Sequence, residues 1–184
     1  MKTLIRIIAT AVVLVEVALL VKLVTEREPA EVEVPVAPVV VVEPTPITFA
    51  EHCDKAPPAD FDVLVQAAAF EFGVDPRVLA TTVYRESDCD AKALGSSGEI
   101  GLGQVHPTVW SATLIEAGII RRTKDLWTPI TNLRASAYIL ARLSDAADGD
   151  LRGTFRRYNG SGPKAKKYAR EQVQVFASLW PQGV

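Results

Sequence analysis

Helix-starting and helix-ending residues follow one another closely over the last two thirds of this 184-residue chain. Asp60 is predicted to cap a helix that Gly73 ends, and Asp75-Pro76 begins the next helix as an N-cap followed by proline. Further helices are predicted over 107–117, 130–143, 149–157 and 163–179. No segment after residue 60 alternates apolar and polar residues as a strand would. The pattern therefore predicts a mainly α single domain, over 56–182.

The first 24 residues differ sharply from this domain. A nearly continuous apolar run extends to Val24 and is preceded by Lys2 and Arg6. Its length is near the lower limit for a bilayer span, and the basic residues favour a cytoplasmic N-terminus. Segment 1–24 is predicted to be an N-terminal transmembrane helix, which places the chain in the inner membrane as a single-pass protein with its domain in the periplasm. A cleaved signal peptide is the alternative, although the run does not end in small residues.

Two further features concern how the domain is held. Glu16 lies in the middle of the apolar run, where an ionised acid is costly; it is either tolerated in a marginal span or part of an anchor that releases. Segment 25–55 is rich in Pro, Val and Glu and has no helical period, which predicts an extended linker; the alternative is that its valine run, 39–42, forms an edge strand.

The chain contains two cysteines, Cys53 and Cys89. In an exported protein they can form one intramolecular disulfide, with two free buried thiols as the alternative. The bridge closes a loop worth roughly 3–4 kcal/mol in the chain-entropy model. We predict that it joins the start of the domain to the end of the second helix.

Glu86 is the leading candidate for chemistry. Leu79, Val83 and Glu86 share one side of the predicted second helix, so the acid lies on the apolar face near the helix end. Partial desolvation raises the pKa of a carboxyl group and lets it carry a proton near neutral pH, as a general acid must. The alternative is an ion pair of Glu86 with Arg85 or a lysine.

Three motifs together resemble a known family. They are Glu86-Ser87, the glycine turn Gly101-Leu102-Gly103-Gln104, and Tyr158-Asn159-Gly160. In order and spacing they resemble the lytic transglycosylase domain of the soluble lytic transglycosylase and VirB1-like type, over roughly residues 61–179. The resemblance implies a lysozyme-like fold and cleavage of the glycan strands of peptidoglycan.

The same resemblance implies roles for several other residues. Ser87 either orients nearby backbone or the acid, or it caps the helix. Gln104 offers a hydrogen-bond donor and an acceptor to an acetamido group of the sugar. Tyr158 forms a hydrogen bond with Glu86 or with the sugar. Asn159 fixes a turn, and Asn132 begins an element, 132–138, that is mostly scaffold. Tyr138 and Tyr168 lie in the groove or the core. The chain departs from the family at Gly103, where methionine is usual, and at Gly95, where a serine is frequent.

The implied chemistry uses one carboxyl group. Glu86 protonates the bond between N-acetylmuramic acid and N-acetylglucosamine, then accepts the proton of the muramic C6 hydroxyl, which closes a 1,6-anhydro ring. Asp88 and Asp90 are not placed as a second acid, and Glu99 is predicted to be a solvated loop residue. The alternatives are a hydrolytic muramidase, a phage endolysin of the signal-arrest-release type, and a non-catalytic peptidoglycan-binding protein.

Composition limits the partners. The net charge of −2 does not indicate a nucleic-acid-binding protein. The two histidines are isolated, so neither a metal site nor a cofactor is predicted. The expected partners are peptidoglycan strands and the membrane. A secretion machine, a conjugation machine, a phage lysis system and wall turnover all remain as settings for such an enzyme.

Overall fold

The computed structural model describes residues 47–182, which fold into a helical domain. Within this part of the chain there is no β-strand, only isolated bridges of Ile100 with Leu94 and with Val105. The prediction of a mainly α domain is confirmed. Two short 3-10 segments, Ala50–His52 and Thr123–Trp127, accompany six α-helices: α1 Phe61–Glu71, α2 Pro76–Ser87, α3 Pro107–Glu116, α4 Pro129–Asp145, α5 Leu151–Tyr158 and α6 Gly162–Leu179.

Two of the six α-helices of the described residues, α2 and α5, begin with a side-chain cap. Asp75 accepts a hydrogen bond from Arg77 N at 2.9 Å and caps α2, as predicted. Asp150 caps α5 in the same way, through Gly153 N at 2.8 Å. Asp60 precedes α1 but makes no side-chain cap bond, so the prediction of its role is wrong. Its backbone is left-handed, with φ 57°, whereas a capping residue typically has an extended backbone.

The core forms around α4, which packs against α1, α2 and α5. Leu133, Ala137 and Leu140 of α4 are buried together with Leu79 and Val83 of α2. These residues recur at helical spacing in the sequence, which is why the helices present continuous apolar faces to one another. The packing fixes the C-terminal end of α2, where Glu86 lies.

The packed domain begins earlier in the chain than predicted. Phe49 has no exposed surface; its ring stacks on Trp180 at 5.5 Å and meets Tyr84 edge-on at 6.0 Å. Asp62 accepts hydrogen bonds from the backbone N–H groups of Phe49 and Ala50. The predicted linker boundary at residue 55 is therefore wrong, because Ile47 and Phe49 are already buried in the core of the domain.

The predicted anchor, 1–24, and the rest of the predicted linker, 25–46, lie outside the described residues. Within 47–182, no helix is both long enough and apolar enough to cross a bilayer.

The predicted disulfide is confirmed: Cys53 and Cys89 are bonded, with their Cα atoms 5.9 Å apart. Cys89 is buried, and it directly follows Asp88, the C-cap of α2. The bridge thus ties the N-terminal part of the domain to the backbone just past Glu86.

Replacing both Cys53 and Cys89 with serine is expected to lower the free energy of unfolding by about 4 kcal/mol, because the bridge closes a loop with a separation of 36 residues. For a domain of this size the loss corresponds to a melting temperature lower by about 10–15 °C. Denaturant titration and calorimetry of the oxidised wild type and the double variant check this. A difference below about 1 kcal/mol would show that the bridge adds no stability.

Candidate active site

Glu86 is the next-to-last residue of α2, and its side chain is half-buried. The chain leaves the helix through two left-handed residues, Asp88 with φ 54° and Cys89 with φ 63°. From α6, Tyr168 Oη donates a hydrogen bond to Glu86 Oε1 at 2.5 Å. The acid is thus held between two helices that are distant in the sequence.

The surroundings of Glu86 favour its protonated form. Burial raises its pKa above the usual value, opposed by the Tyr168 hydrogen bond and by the charge of Arg85, and supported by the negative charge of Glu99. Arg85 itself bonds to Glu171 Oε2 at 3.0 Å. The pKa of Tyr168 is also raised, by burial and by Glu86, so its hydroxyl remains a donor. This is the direction that a general acid requires.

The glycine turn 101–104 is held by three helices. Asn132 of α4 makes three hydrogen bonds at this turn. Its Nδ2 donates to Ile100 O and Leu126 O, each at 2.8 Å, and its Oδ1 accepts from Gly103 N at 2.9 Å. Ser87 Oγ, at the end of α2, donates to Leu102 O at 2.7 Å. All of these bonds are made to backbone, so the turn keeps one geometry beside Glu86.

Tyr158 of α5 also bonds the glycine turn, which differs from its predicted role. Its hydroxyl donates to Gly103 O at 2.7 Å, whereas the sequence predicted a bond to Glu86 or to the sugar. Burial, and then the charge of Glu86, raise the pKa of Tyr158, so it remains a donor. Tyr158 therefore supports the turn, and Tyr168 is the tyrosine that bonds the acid.

Gln104 has only part of its predicted hydrogen-bonding capacity left. Its Nε2 donates to Gly101 O at 2.9 Å and to Ala93 O at 3.3 Å, within its own loop. The donor predicted for an acetamido group is therefore engaged. Its Oε1 remains as an acceptor.

Asn159 and Tyr138 lie away from these contacts. Asn159 is exposed and follows the last residue of α5, next to Gly160 with φ 108°, which fits the predicted turn. The ring of Tyr138 meets Phe72 edge-on at 5.6 Å and lies under the guanidinium of Arg142. Tyr138 thus packs between helices α1 and α4.

The other acids near Glu86 have different partners. Asp88 accepts from Asp54 N at 3.0 Å, and Asp90 accepts from Lys92 N at 2.8 Å. Glu99 is half-buried, and its negative charge acts on Glu86. Within residues 47–182, no group of three or more His, Cys, Asp or Glu residues is arranged to hold a metal ion.

Ser136 explains the glycine that replaces the family's usual methionine. A Cβ at Gly103 would overlap Ser136 Oγ, and it would lie 2.8 Å from Ser136 Cβ and 3.0 Å from Tyr158 Oη. Ser136 is fully buried on α4, one turn after Asn132. No motif predicts a role for Ser136, although a serine on an otherwise apolar helix face is a usable signal.

The domain is helical and holds a half-buried acid at a helix end, with a tyrosine bonded to the acid and a glycine turn beside it. These features place it in the lysozyme-like class. The family model for the transglycosylase SLT domain matches residues 63–178, and the chain belongs to this family. The predicted resemblance is confirmed.

Among the solved structures of similar fold is an inactive mutant of the lytic transglycosylase Slt from Pseudomonas aeruginosa. The two chains are 16% identical with a TM-score of 0.59, and the match covers 65% of this chain and 24% of that chain. At this identity the likeness shows the fold.

Replacing Tyr168 with phenylalanine is expected to lower the rate of peptidoglycan cleavage roughly tenfold, because the hydroxyl that orients Glu86 is lost. That hydroxyl stabilises the carboxylate, so its removal raises the pKa of Glu86 further. The protonated acid then persists to higher pH, and the alkaline limb of the pH–rate profile moves up. Rates of muropeptide release between pH 4 and 9 check this.

Tyr138→Phe is the matched control, because Tyr138 packs on Phe72. It should leave both the rate and the profile unchanged. An unshifted alkaline limb in Tyr168→Phe would contradict the assigned role of Tyr168.

Proposed function

We propose that this protein is a peptidoglycan lytic transglycosylase. It cleaves the β-1,4 bond between N-acetylmuramic acid and N-acetylglucosamine and leaves a 1,6-anhydromuramic acid end. Membership of the SLT family supports the substrate class. The observation that carries the proposal is Glu86, half-buried and bonded by Tyr168 at 2.5 Å, with burial raising its pKa.

The proposed reaction uses Glu86 twice. Protonated Glu86 first donates its proton to the glycosidic oxygen, and the bond from that oxygen to muramic C1 breaks. Ionised Glu86 then accepts the proton of the C6 hydroxyl of the same sugar, whose oxygen bonds to C1. The nucleophile belongs to the substrate, so its effective concentration is high without an ordered water.

Tyr168 supports both protonation states in this scheme. Its hydrogen bond to Glu86 Oε1 stabilises the carboxylate that exists between the two proton transfers. Glu86 Oε2 carries the proton before the first transfer and after the second transfer. Burial opposes a lasting charge on Glu86, which favours return of a proton to it. Burial thus moves the pKa of Glu86 upward, the direction that favours proton donation by a carboxyl group.

The supporting residues act on the backbone of the cleft. Ser87, Tyr158 and Asn132 hold the carbonyl and N–H groups of the glycine turn, and Gln104 presents its Oε1. In this proposal the turn is a wall for a sugar ring, since glycines let backbone approach a ligand closely. The cleavage requires no metal or cofactor.

We further propose that 1–24 anchors the protein in the inner membrane, with the enzyme in the periplasm. The apolar run, the basic residues before it and the disulfide of the domain support this placement. The anchor would limit the enzyme to wall within reach of the linker.

A hydrolytic muramidase is the second candidate, favoured by one observation. The charge of Glu99 acts on Glu86, and paired carboxylates are what most hydrolytic glycosidases use. In that reaction water takes the place of the C6 hydroxyl.

The test is digestion of purified peptidoglycan by the full chain, followed by borohydride treatment and mass spectrometry. We expect soluble muropeptides whose ends resist reduction, because a 1,6-anhydro ring has no free aldehyde. Reducible ends would favour the muramidase. No soluble product from a folded protein would favour a binding protein.

A further inference from the structure

A glycine at position 95 leaves room for two acceptor oxygens beside the glycine turn. A Cβ on Gly95 would overlap Glu99 Oε2 and would lie 2.7 Å from Gln104 Oε1. Both oxygens therefore converge on the same small volume. Gly95, Glu99 and Gln104 are all half-buried, so this volume is neither open surface nor closed core.

The amide donor of Gln104 is engaged elsewhere, and Glu99 Oε2 accepts one hydrogen bond from backbone. Gln104 Nε2 donates to Gly101 O and Ala93 O, which fixes the amide with Oε1 on the other side. Glu99 Oε2 accepts from Ser97 N at 2.9 Å, which leaves lone pairs on the carboxylate. What the two side chains offer a ligand is acceptor capacity alone.

Glu99 adds negative charge to the pair. The backbone N–H groups of Glu99 and Ser97, together with nearby His106, hold the pKa of its carboxyl group below the usual value, so it is ionised at neutral pH. Among the ionisable groups facing Glu86 are Tyr168, Arg85, Tyr158 and Glu99. Ser87, which directly follows Glu86, bonds Leu102 O at 2.7 Å, so the turn that carries Gln104 lies beside the acid.

We propose that Glu99 Oε2 and Gln104 Oε1 form a binding site, the acceptor pair, for an N–H or O–H donor of an N-acetylglucosamine unit of the glycan strand. The inference rests on the proposed function and names the sugar that this part of the cleft receives. Hydrogen bonds to an ionised group are stronger than those to a neutral one, so a carboxylate is a strong site for such a donor.

The charge of Glu99 also selects between the two sugars. N-acetylmuramic acid carries a lactyl group whose carboxylate, where it is free, is repelled by Glu99. N-acetylglucosamine is uncharged and offers both an acetamido N–H and hydroxyl donors. The acceptor pair therefore fits the N-acetylglucosamine side of the cleaved bond.

The test is binding of the β-1,4-linked N-acetylglucosamine trisaccharide to the full chain by titration calorimetry. Glu99→Gln is expected to weaken binding about tenfold, because it removes the charge and turns one acceptor into a donor. Gly95→Ala is expected to do the same, since its Cβ displaces the carboxylate. Gly95 is not left-handed, so alanine adds no backbone strain.

Three comparisons sharpen the result. Glu116→Gln removes an exposed acid of α3 and should bind the trisaccharide as the wild type does. The Gly95→Ala/Glu99→Gln double variant should lose no more than either single variant, because both remove the same contact. The glucose trisaccharide has the hydroxyls without acetamido groups. If Glu99→Gln weakens the binding of both trisaccharides, the donor is a hydroxyl. If it weakens the binding of the N-acetylated trisaccharide alone, the donor is the acetamido N–H.

A pH profile separates this role from a merely structural one. Removing the charge of Glu99 lowers the pKa of Glu86, so the alkaline limb of peptidoglycan cleavage should move down in Glu99→Gln. Unchanged trisaccharide affinity in Glu99→Gln would overturn the acceptor pair, even if anhydro products still form and the proposed function stands. A wild type that neither binds the trisaccharide nor digests peptidoglycan would overturn both.

Discussion

Replacing Glu86 with glutamine is expected to lower the rate of peptidoglycan cleavage by at least about a thousandfold. Proton transfer by a positioned side chain contributes roughly 10²–10⁴-fold, and here one residue carries both transfers. Glutamine preserves the shape of the side chain and still accepts the Tyr168 hydrogen bond through its amide oxygen. It has no proton to donate to a glycosidic oxygen.

The same variant should fold normally. Ionised Glu86 is penalised by burial, and glutamine carries no charge, so we expect a free energy of unfolding equal to or above that of the wild type at neutral pH. Glu116→Gln is the control, because its acid is exposed on α3. Retention of more than a tenth of the wild-type rate in Glu86→Gln would remove the acid from the mechanism.

Introducing the family's usual methionine at Gly103 is expected to destabilise the domain by about 3 kcal/mol and to reduce activity more than a hundredfold. A Cβ at this position overlaps Ser136 Oγ and crowds Tyr158 Oη, and a buried overlap of this kind typically costs about 1–3 kcal/mol. The turn must shift, and it would lose bonds from Asn132 and Tyr158. Denaturant titration and the rate of muropeptide release measure the two effects.

A second substitution should reverse most of this loss. Ser136→Gly removes the Oγ and Cβ atoms that the new side chain meets, so the Gly103→Met/Ser136→Gly pair should recover stability relative to Gly103→Met alone. Ser136→Gly by itself should cost about 1 kcal/mol, as expected for glycine inside a helix. If the two effects simply add, Ser136 is not what excludes a larger residue at position 103.

Local sequence signals predicted the helices and the position of the acid. The Asp75-Pro76 start, Gly73 and the spacing of Leu79, Val83 and Glu86 all depend on contacts within a few residues, and the structure agrees with them. The disulfide could also be predicted, because two cysteines in an exported chain have one intramolecular pairing.

Long-range packing set the features that the sequence did not predict. Tyr158 and Tyr168 both lie near Glu86, and only the packing of α5 and α6 decides that Tyr168 bonds the acid while Tyr158 bonds Gly103 O. Phe49 was assigned to the linker because its partners, Tyr84 and Trp180, are far from it in sequence.

The roles of two buried polar residues of α4 also differ from what the sequence predicted. Asn132 and Ser136 lie one turn apart on a helix whose neighbouring positions are apolar, and both face the glycine turn. Asn132 was predicted as scaffold, whereas Ser136 was overlooked. Polar residues on an apolar helix face are costly unless they have partners, so Asn132, with three hydrogen bonds to backbone, indicates where the loop is held.

The most direct test of the mechanism is digestion of peptidoglycan in water enriched in oxygen-18. If Glu86 directs the muramic C6 hydroxyl to C1, the released glycan ends contain no heavy oxygen and lack one water relative to hydrolysed ends. If products with hydrated, oxygen-18-labelled ends predominate in the wild type and disappear in Glu86→Gln, the protein is a hydrolase and the transglycosylase mechanism is wrong.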